Sequence, residues 1–111
     1  MSRIQTFEIF WPFYLSQHRN RVSRALHGIG TTAALGVAIG SVAWGVRWLP
    51  LALIAGYGPA WIGHFFFEKN RPATFQYPLW SLLADFKMWA FLVSGRLPGE
   101  LRRLGLDREA A

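Results

Sequence analysis

Three histidines and one glutamate are the residues of this chain whose types and spacing suit a metal site. His64 and Glu68 are four residues apart, which places them on one face of a helix. His18 and His27 are the other two histidines. Imidazole and carboxylate groups together suit Fe(II), Mn(II) or Zn(II). The chain has no cysteine, which excludes a disulfide, a thiolate metal site and a cysteine nucleophile.

Whether these side chains meet depends on the path of the backbone between them. His18 and His27 are nine residues apart, so on one straight helix they would point to opposite sides. A bend between them, or an N-terminal helix that folds back, would let both converge with His64. In the alternative interpretation, each histidine caps a helix end or binds a lipid phosphate.

The composition indicates what kind of scaffold must position these residues. Of the 111 residues, 52% are hydrophobic and 16% are charged, whereas a soluble domain carries roughly 25% charged residues. This argues against a water-soluble monomer, and the high aromatic content argues against a disordered chain. The net charge of +6 favours a small membrane protein that faces anionic lipid. We expect a single membrane domain over residues 1–111.

Two long apolar runs predict an all-α integral membrane protein built on a transmembrane helical hairpin. Residues 29–46 and 48–67 contain no Asp, Glu, Lys or Arg, and each is close to the ~20 residues that cross a hydrocarbon core. The turn between the runs is short, so the helices must be antiparallel, and His27 and His64 should reach the same leaflet. A buried hairpin in a soluble oligomer is the alternative.

Three further segments flank the predicted hairpin. Residues 1–28 are expected to form an N-terminal interfacial helix, with its aromatic side chains at headgroup level. Residues 78–95 are expected to form a third apolar helix, re-entrant or interfacial, because Asp85 and Lys87 interrupt it. The charged tail, residues 96–111, is predicted to lie at the surface. The aromatic residues of the first segment are Phe7, Phe10, Trp11, Phe13 and Tyr14.

Basic residues are distributed unevenly along the chain. With two spans, Arg47 lies alone on one side, and the other eleven of the twelve Lys and Arg residues lie on the opposite side. Because Lys and Arg concentrate on the cytoplasmic side, both termini are predicted to be cytoplasmic. The membrane would be the inner membrane of a bacterium or the endoplasmic reticulum of a eukaryote. The basic and aromatic mixture leads directly into an apolar run, so we expect membrane lipid, and no nucleic acid, as a partner.

Small residues recur at fourfold spacing in both apolar runs. Helices in lipid associate through such residues because their backbones can approach closely. The pattern predicts a tight hairpin or a possible homodimer, and it directs His64 along the packed face. The residues are Thr32, Gly36 and Gly40 in the first run, with Thr31, Ala34, Ala38 and Ser41 on a neighbouring face of the same run, and Ala52, Gly56 and Ala60 in the second.

One motif resembles a known family. The stretch from Trp61 to Ala73 reads W-x-G-H-x-x-x-E-K-x-R-P-A, and upstream Phe13-Tyr14 is followed by His18 and His27. Over roughly residues 7–95 the chain resembles the membrane-embedded 2-hydroxy fatty acid dioxygenases, whose fungal members act in the α-oxidation step of phytosphingosine breakdown. Ser23 stands where family members often carry Asn, and the fungal relatives are longer.

The resemblance implies a function and a ligand set. It implies an Fe(II)-dependent dioxygenase that uses O2 to shorten a long-chain 2-hydroxy fatty acid by one carbon. Position by position, it implies iron ligation by the three histidines, with Glu68 as fourth ligand or as a residue that orients a ligand. Three arginines are candidates for holding the substrate carboxylate: Arg19, Arg21 and Arg71.

Two hypotheses of different classes follow from the sequence. The first is this iron-dependent lipid-acid oxygenase. The second is a non-enzymatic small membrane hairpin that binds a partner or acts as a structural subunit of the bilayer. Convergence of His18, His27 and His64 on a common point distinguishes them, because only the enzyme requires ligand geometry.

Overall fold

Five α-helices make up most of the part of the chain that the structure describes. The computed structural model describes residues 4–107, so the first three residues and the last four of the predicted tail lie outside it. A π-helical turn, Gly63–Glu68, continues α3, and residues 4–107 contain no strand, which confirms the predicted all-α class. The helices are α1 (Phe7–Ser16), α2 (Arg21–Trp44), α3 (Leu49–Ile62), α4 (Pro78–Val93) and α5 (Leu97–Arg103).

A short linker separates α1 from α2. The side chain of Thr6 caps α1 by accepting the Ile9 N–H, and Asn20 caps α2 by accepting the N–H groups of Val22 and Ser23. Such caps satisfy backbone donors that have no partner inside a helix. As a result α2 begins at Arg21, well before the predicted start of the first span at residue 29.

Helices α2 and α3 pack closely and run in opposite directions. A Cβ added to Gly30 would lie 2.7 Å from the Gly56 carbonyl oxygen, and one added to Gly56 would lie 3.3 Å from the Ala34 Cβ. Around Gly36, by contrast, a Cβ would meet no atom within 4 Å. The contact face of α2 is therefore formed by Gly30 and Ala34, and the predicted stripe through Gly36 lies outside it.

Two stretches are long and apolar enough to cross a membrane. They are α2, Arg21–Trp44, and the nearly continuous helical run Val46–Glu68. Several of their large apolar side chains are exposed on the protein surface, among them Ile39, Val42 and Phe66. Exposed apolar surface of this kind is typical of a chain that contacts lipid or another protein.

The hydrophobic core lies where α1 and α5 cover α4. Phe10, Trp11 and Tyr14 are almost completely buried there and pack against protein. Their position at headgroup level stays a prediction. Each aromatic side chain buries roughly 150–250 Å² of surface, which favours the interior when a partner face is available. Leu97 and Leu101 are also buried, so the first part of the predicted surface tail belongs to the core.

Candidate metal centre

Three histidines converge in the interior. His18, His27 and His64 each offer a ring nitrogen, and these ligand atoms lie within 4.8 Å of one another. The Nε2 atom of His27 lies 3.0 Å from that of His18 and 3.3 Å from that of His64. All three residues are at least 95% buried. The cluster has the convergence that the enzyme hypothesis requires.

Each histidine is supplied by a different element. His18 lies in the linker between α1 and α2, where its backbone N–H bonds to the Leu15 carbonyl and its carbonyl accepts from Arg24. His27 lies on α2, directly beside α3. The linker therefore supplies the bend between His18 and His27 that one straight helix would lack.

His64 lies in the π-helical turn at the end of α3. Lys69 ends this turn in the left-handed conformation, at φ 59°, and the Asn70 N–H bonds to the His64 carbonyl at 2.9 Å. Single π-helical turns are frequent at functional sites.

Hydrogen bonds at the outer ring nitrogens determine which nitrogen faces inward with a lone pair. His18 Nδ1 lies 2.7 Å from the Tyr14 carbonyl oxygen, and His64 Nδ1 lies 2.6 Å from Asn70 Oδ1. Both partners only accept, because the Asn70 amide nitrogen donates to the Gln17 carbonyl and to Gln17 Oε1. Each Nδ1 therefore carries the proton, and each Nε2 presents a lone pair to the centre.

The donor set fits a metal ion. If His27 Nε2 carried a proton, that proton could bond to the Nε2 lone pair of either His18 or His64 but not of both. A metal cation placed between the rings can bind the lone pairs of all three. Metal–nitrogen bonds of about 2.1 Å at angles of about 90–110° place ligand nitrogens about 3.0–3.4 Å apart. The distances from His27 Nε2 to the Nε2 atoms of His18 and His64, 3.0 Å and 3.3 Å, lie in this range. Burial, together with neighbouring His27 and His64, lowers the pKa of His18 well below its usual value, which keeps the ring neutral and able to bind metal.

Glu68 lies outside the group of converging ligand atoms. Its Oε2 accepts the backbone N–H of Asn20 at 2.9 Å. Asn20 is two residues from His18, so this bond ties the π-helical turn to the linker that carries His18. The role of Glu68 as a direct ligand stays a prediction. Its observed contact, with the Asn20 N–H, holds the linker that carries His18.

The three arginines predicted to hold a carboxylate do not line the pocket beside the histidines, as far as the described residues show. Arg19 is half-buried, whereas Arg21 and Arg71 are exposed. The Arg71 guanidinium lies over the Phe75 ring, 5.2 Å from its centre.

Sequence reasoning missed three residues that contact the histidines. The Tyr14 hydroxyl donates to Asp85 Oδ1, and that same oxygen lies 3.7 Å from His27 Nδ1. Burial raises the pKa of Asp85 to about 6 and raises the pKa of Tyr14 well above its usual value. Asn70 is the third. Two signals pointed to Asp85 and Asn70: an acidic residue inside an apolar helix, and an Asn within the G-H-x-x-x-E-K-x-R-P-A motif.

Two cavities adjoin the histidines. A small polar pocket of about 10 Å³ touches His27, His64 and Asp85, and that volume corresponds to about one water molecule. A second cavity of about 180 Å³, the apolar groove, lies among α2, α3 and α4. The two share His27, Tyr57, Ala60 and Asp85. The groove therefore leads to the histidine cluster.

Comparison with known proteins agrees with this geometry. A family model described as 2-hydroxy-palmitic acid dioxygenase Mpo1-like matches residues 4–97, a range that includes all three histidines and Glu68. Neither a curated protein nor a solved structure matches the chain. The matched range covers most of the 111 residues, and the chain therefore belongs to the Mpo1-like family of 2-hydroxy-palmitic acid dioxygenases.

Proposed function

We propose that the protein is an Fe(II)-dependent dioxygenase that shortens long-chain 2-hydroxy fatty acids by one carbon. The observation that carries this proposal is the convergence of three buried imidazoles at the end of an apolar groove, in a chain of this family. His18, His27 and His64 would hold the iron. When bound, Fe(II) would supply the electron transfer that allows O2 to react with a closed-shell substrate.

The proposed reaction balances without an external reductant. Cleavage of the C1–C2 bond releases the carboxyl carbon as CO2 and converts C2 into the carboxyl group of the shortened acid. The substrate loses four electrons in this conversion. One O2 accepts four electrons, so one oxygen atom enters the new carboxyl group and one water molecule forms.

The chain's own residues hold the ligands and exclude water. Tyr14 and Asn70 keep the protons of His18 and His64 on Nδ1, so that both Nε2 atoms stay directed at the centre. Asp85 lies on the outer side of His27 and is itself held by the Tyr14 hydroxyl. The polar pocket has room for no more than about one water molecule. A bound substrate head group would displace that water molecule.

We infer that the protein is embedded in a membrane through α2 and the run Val46–Glu68, with α4 in the cytoplasmic leaflet and both termini cytoplasmic. The two apolar helices and their exposed apolar side chains support this. Protease added outside intact cells should then leave tags at either end uncut. Cleavage of a C-terminal tag alone would instead indicate that α4 is a third span.

The activity is tested with detergent-solubilised protein, Fe(II), O2 and 2-hydroxyhexadecanoic acid. We expect pentadecanoic acid as the product, and no product from hexadecanoic acid, which lacks the hydroxyl. His64→Ala should abolish both iron binding and product. Phe66→Ala serves as the matched control, because Phe66 lies in the same π-helical turn but is 71% exposed. An iron-loaded wild type without product, or an active His64→Ala, would contradict the proposal.

A further inference from the structure

The apolar groove extends away from the histidines along α2 and α3. His27 and Asp85 lie at its polar end, and Ala38 and Ala52 line it on the parts of α2 and α3 most distant from that end. Residues 27 and 38 are separated by eleven helical steps, which correspond to about 16 Å along α2. Half of a bilayer's hydrocarbon core, the depth that one layer of long acyl chains fills, is about 15 Å. The groove therefore has the length of a long acyl chain.

Small side chains make room for this groove between α2 and α3. Ala34 and Ala38 face it from α2, and Ala52 and Gly56 face it from α3. Replacing any of them by a large residue would fill the space between the helices. Only Ala38 and Ala52 lie far enough from His27 to block the distal part while leaving the region beside the histidines open.

We propose that Ala38 and Ala52 set the longest acyl chain that the site accepts, an inference that rests on the proposed function. The occupant is the saturated chain of a 2-hydroxy acid, with its carboxyl end toward His27. Two observations support this occupant. The groove is continuous with the polar pocket through shared residues, and its walls are apolar apart from groups near that pocket and Thr31.

The first test compares two substrates in three proteins. The substrates are 2-hydroxy acids of sixteen and ten carbons, and the proteins are wild type, Ala38→Phe and Ile39→Phe. Ile39 is the matched control, because it is the next residue on α2 and its side chain is 71% exposed. Each methylene kept out of an apolar site costs about fourfold in kcat/KM, so a ring that displaces about three of them costs roughly 60-fold.

We expect Ala38→Phe to lower kcat/KM roughly 60-fold for the sixteen-carbon acid and less than about twofold for the ten-carbon acid. Ile39→Phe should change neither. Ala52→Phe, on the facing helix, should reproduce the selective loss. Equal losses for both acids in Ala38→Phe, or no loss for the longer acid, would overturn the inference.

The second test requires neither iron nor turnover. Metal-free wild-type protein is mixed with a sixteen-carbon 2-hydroxy acid that carries a diazirine at its terminal carbon, irradiated and digested. Fragment-ion sequencing of the labelled peptides should place the label on Ala38, Ala52 or other residues that line the groove. Label spread over exposed positions such as Ile39 and Val42 would overturn the inference.

The two tests together separate the inference from the proposed function. If the wild type converts neither acid but the label appears at Ala38 or Ala52, the dioxygenase proposal fails and the groove assignment stands. If the wild type converts both acids while the label is spread over exposed positions, the enzyme stands and the chain-length inference fails.

Discussion

Asn70 provides the sharpest test of how the histidine cluster is held. Its Oδ1 accepts the His64 Nδ1 proton at 2.6 Å, and its amide nitrogen donates to the Gln17 carbonyl at 3.1 Å. Asn70→Ala removes these two bonds and a third, from the same amide nitrogen to Gln17 Oε1. His64 can then turn, or carry its proton on Nε2, the nitrogen that must bind metal.

The expected loss follows from these contacts. One hydrogen bond contributes about 0.5–1.5 kcal/mol, whereas loss of a residue that orients a metal-binding histidine lowers metal affinity about 10–100-fold. That range corresponds to about 1.4–2.8 kcal/mol. Most of the loss should therefore come from the freed tautomer and ring orientation of His64, and less from the hydrogen bond itself.

The assay is an equilibrium titration of metal-free protein with Fe(II) against a competing chelator. Two variants separate the bond that Asn70 accepts from His64 from the bonds that it donates to Gln17. Asn70→Asp keeps the acceptor for His64 but loses the amide donor, so its iron affinity should stay near that of the wild type. Gln17→Ala removes only the side-chain acceptor and should also bind iron normally. If Asn70→Asp loses as much affinity as Asn70→Ala, the effect comes from the contact with Gln17 and the orientation argument is wrong.

Three further predictions concern helix packing, Glu68 and pH. Gly30→Ala should lower the free energy of unfolding by about 1–3 kcal/mol, because its Cβ would lie 2.7 Å from a carbonyl oxygen of α3. Gly36→Ala, in open space, should leave the melting temperature unchanged or raise it. Glu68→Gln keeps an acceptor for the linker, so iron affinity should fall less than about 100-fold; a loss as complete as in His64→Ala would make Glu68 a direct ligand. Hydrogen bonds from Arg103 and then Trp11 lower the pKa of Glu100 to about 2. The ionised Glu100 therefore contributes to the stability of the fold fully above pH about 4.5, and this contribution disappears as pH falls toward about 2. Unfolding curves of Glu100→Gln should therefore lack this acid-dependent loss.

Much of the helical architecture could be predicted from the sequence. Uninterrupted apolar runs require helices, because only a helix satisfies every backbone polar group within a single segment. The short turn between the two runs then requires α2 and α3 to pack side by side. The three histidines could also be singled out by type alone, since imidazoles beside apolar runs are rare and costly.

The surroundings of the histidines could not be predicted in this way. Tyr14, Asn70 and Asp85 are far from one another in sequence, and nothing in their spacing indicates that they hold three imidazoles. The aromatic residues of α1 fit a membrane interface equally well by composition. Their burial depends on α4 and α5 offering an apolar face, and that face exists only in the folded chain.

The uninterrupted apolar runs thus determined which segments are helical, and residue type alone identified the side chains that could bind metal, because neither property depends on the path of the backbone between distant segments. Only the tertiary structure decided that His18 joins His27 and His64, since that depends on the break at Gln17–Asn20 and on the π-helical turn. It also decided which ring nitrogens face the centre. A hydrogen-bond partner determines the tautomer of a histidine. The partners of His18 and His64 are Tyr14 and Asn70, which reach the ring nitrogens only where the linker and the π-helical turn place them.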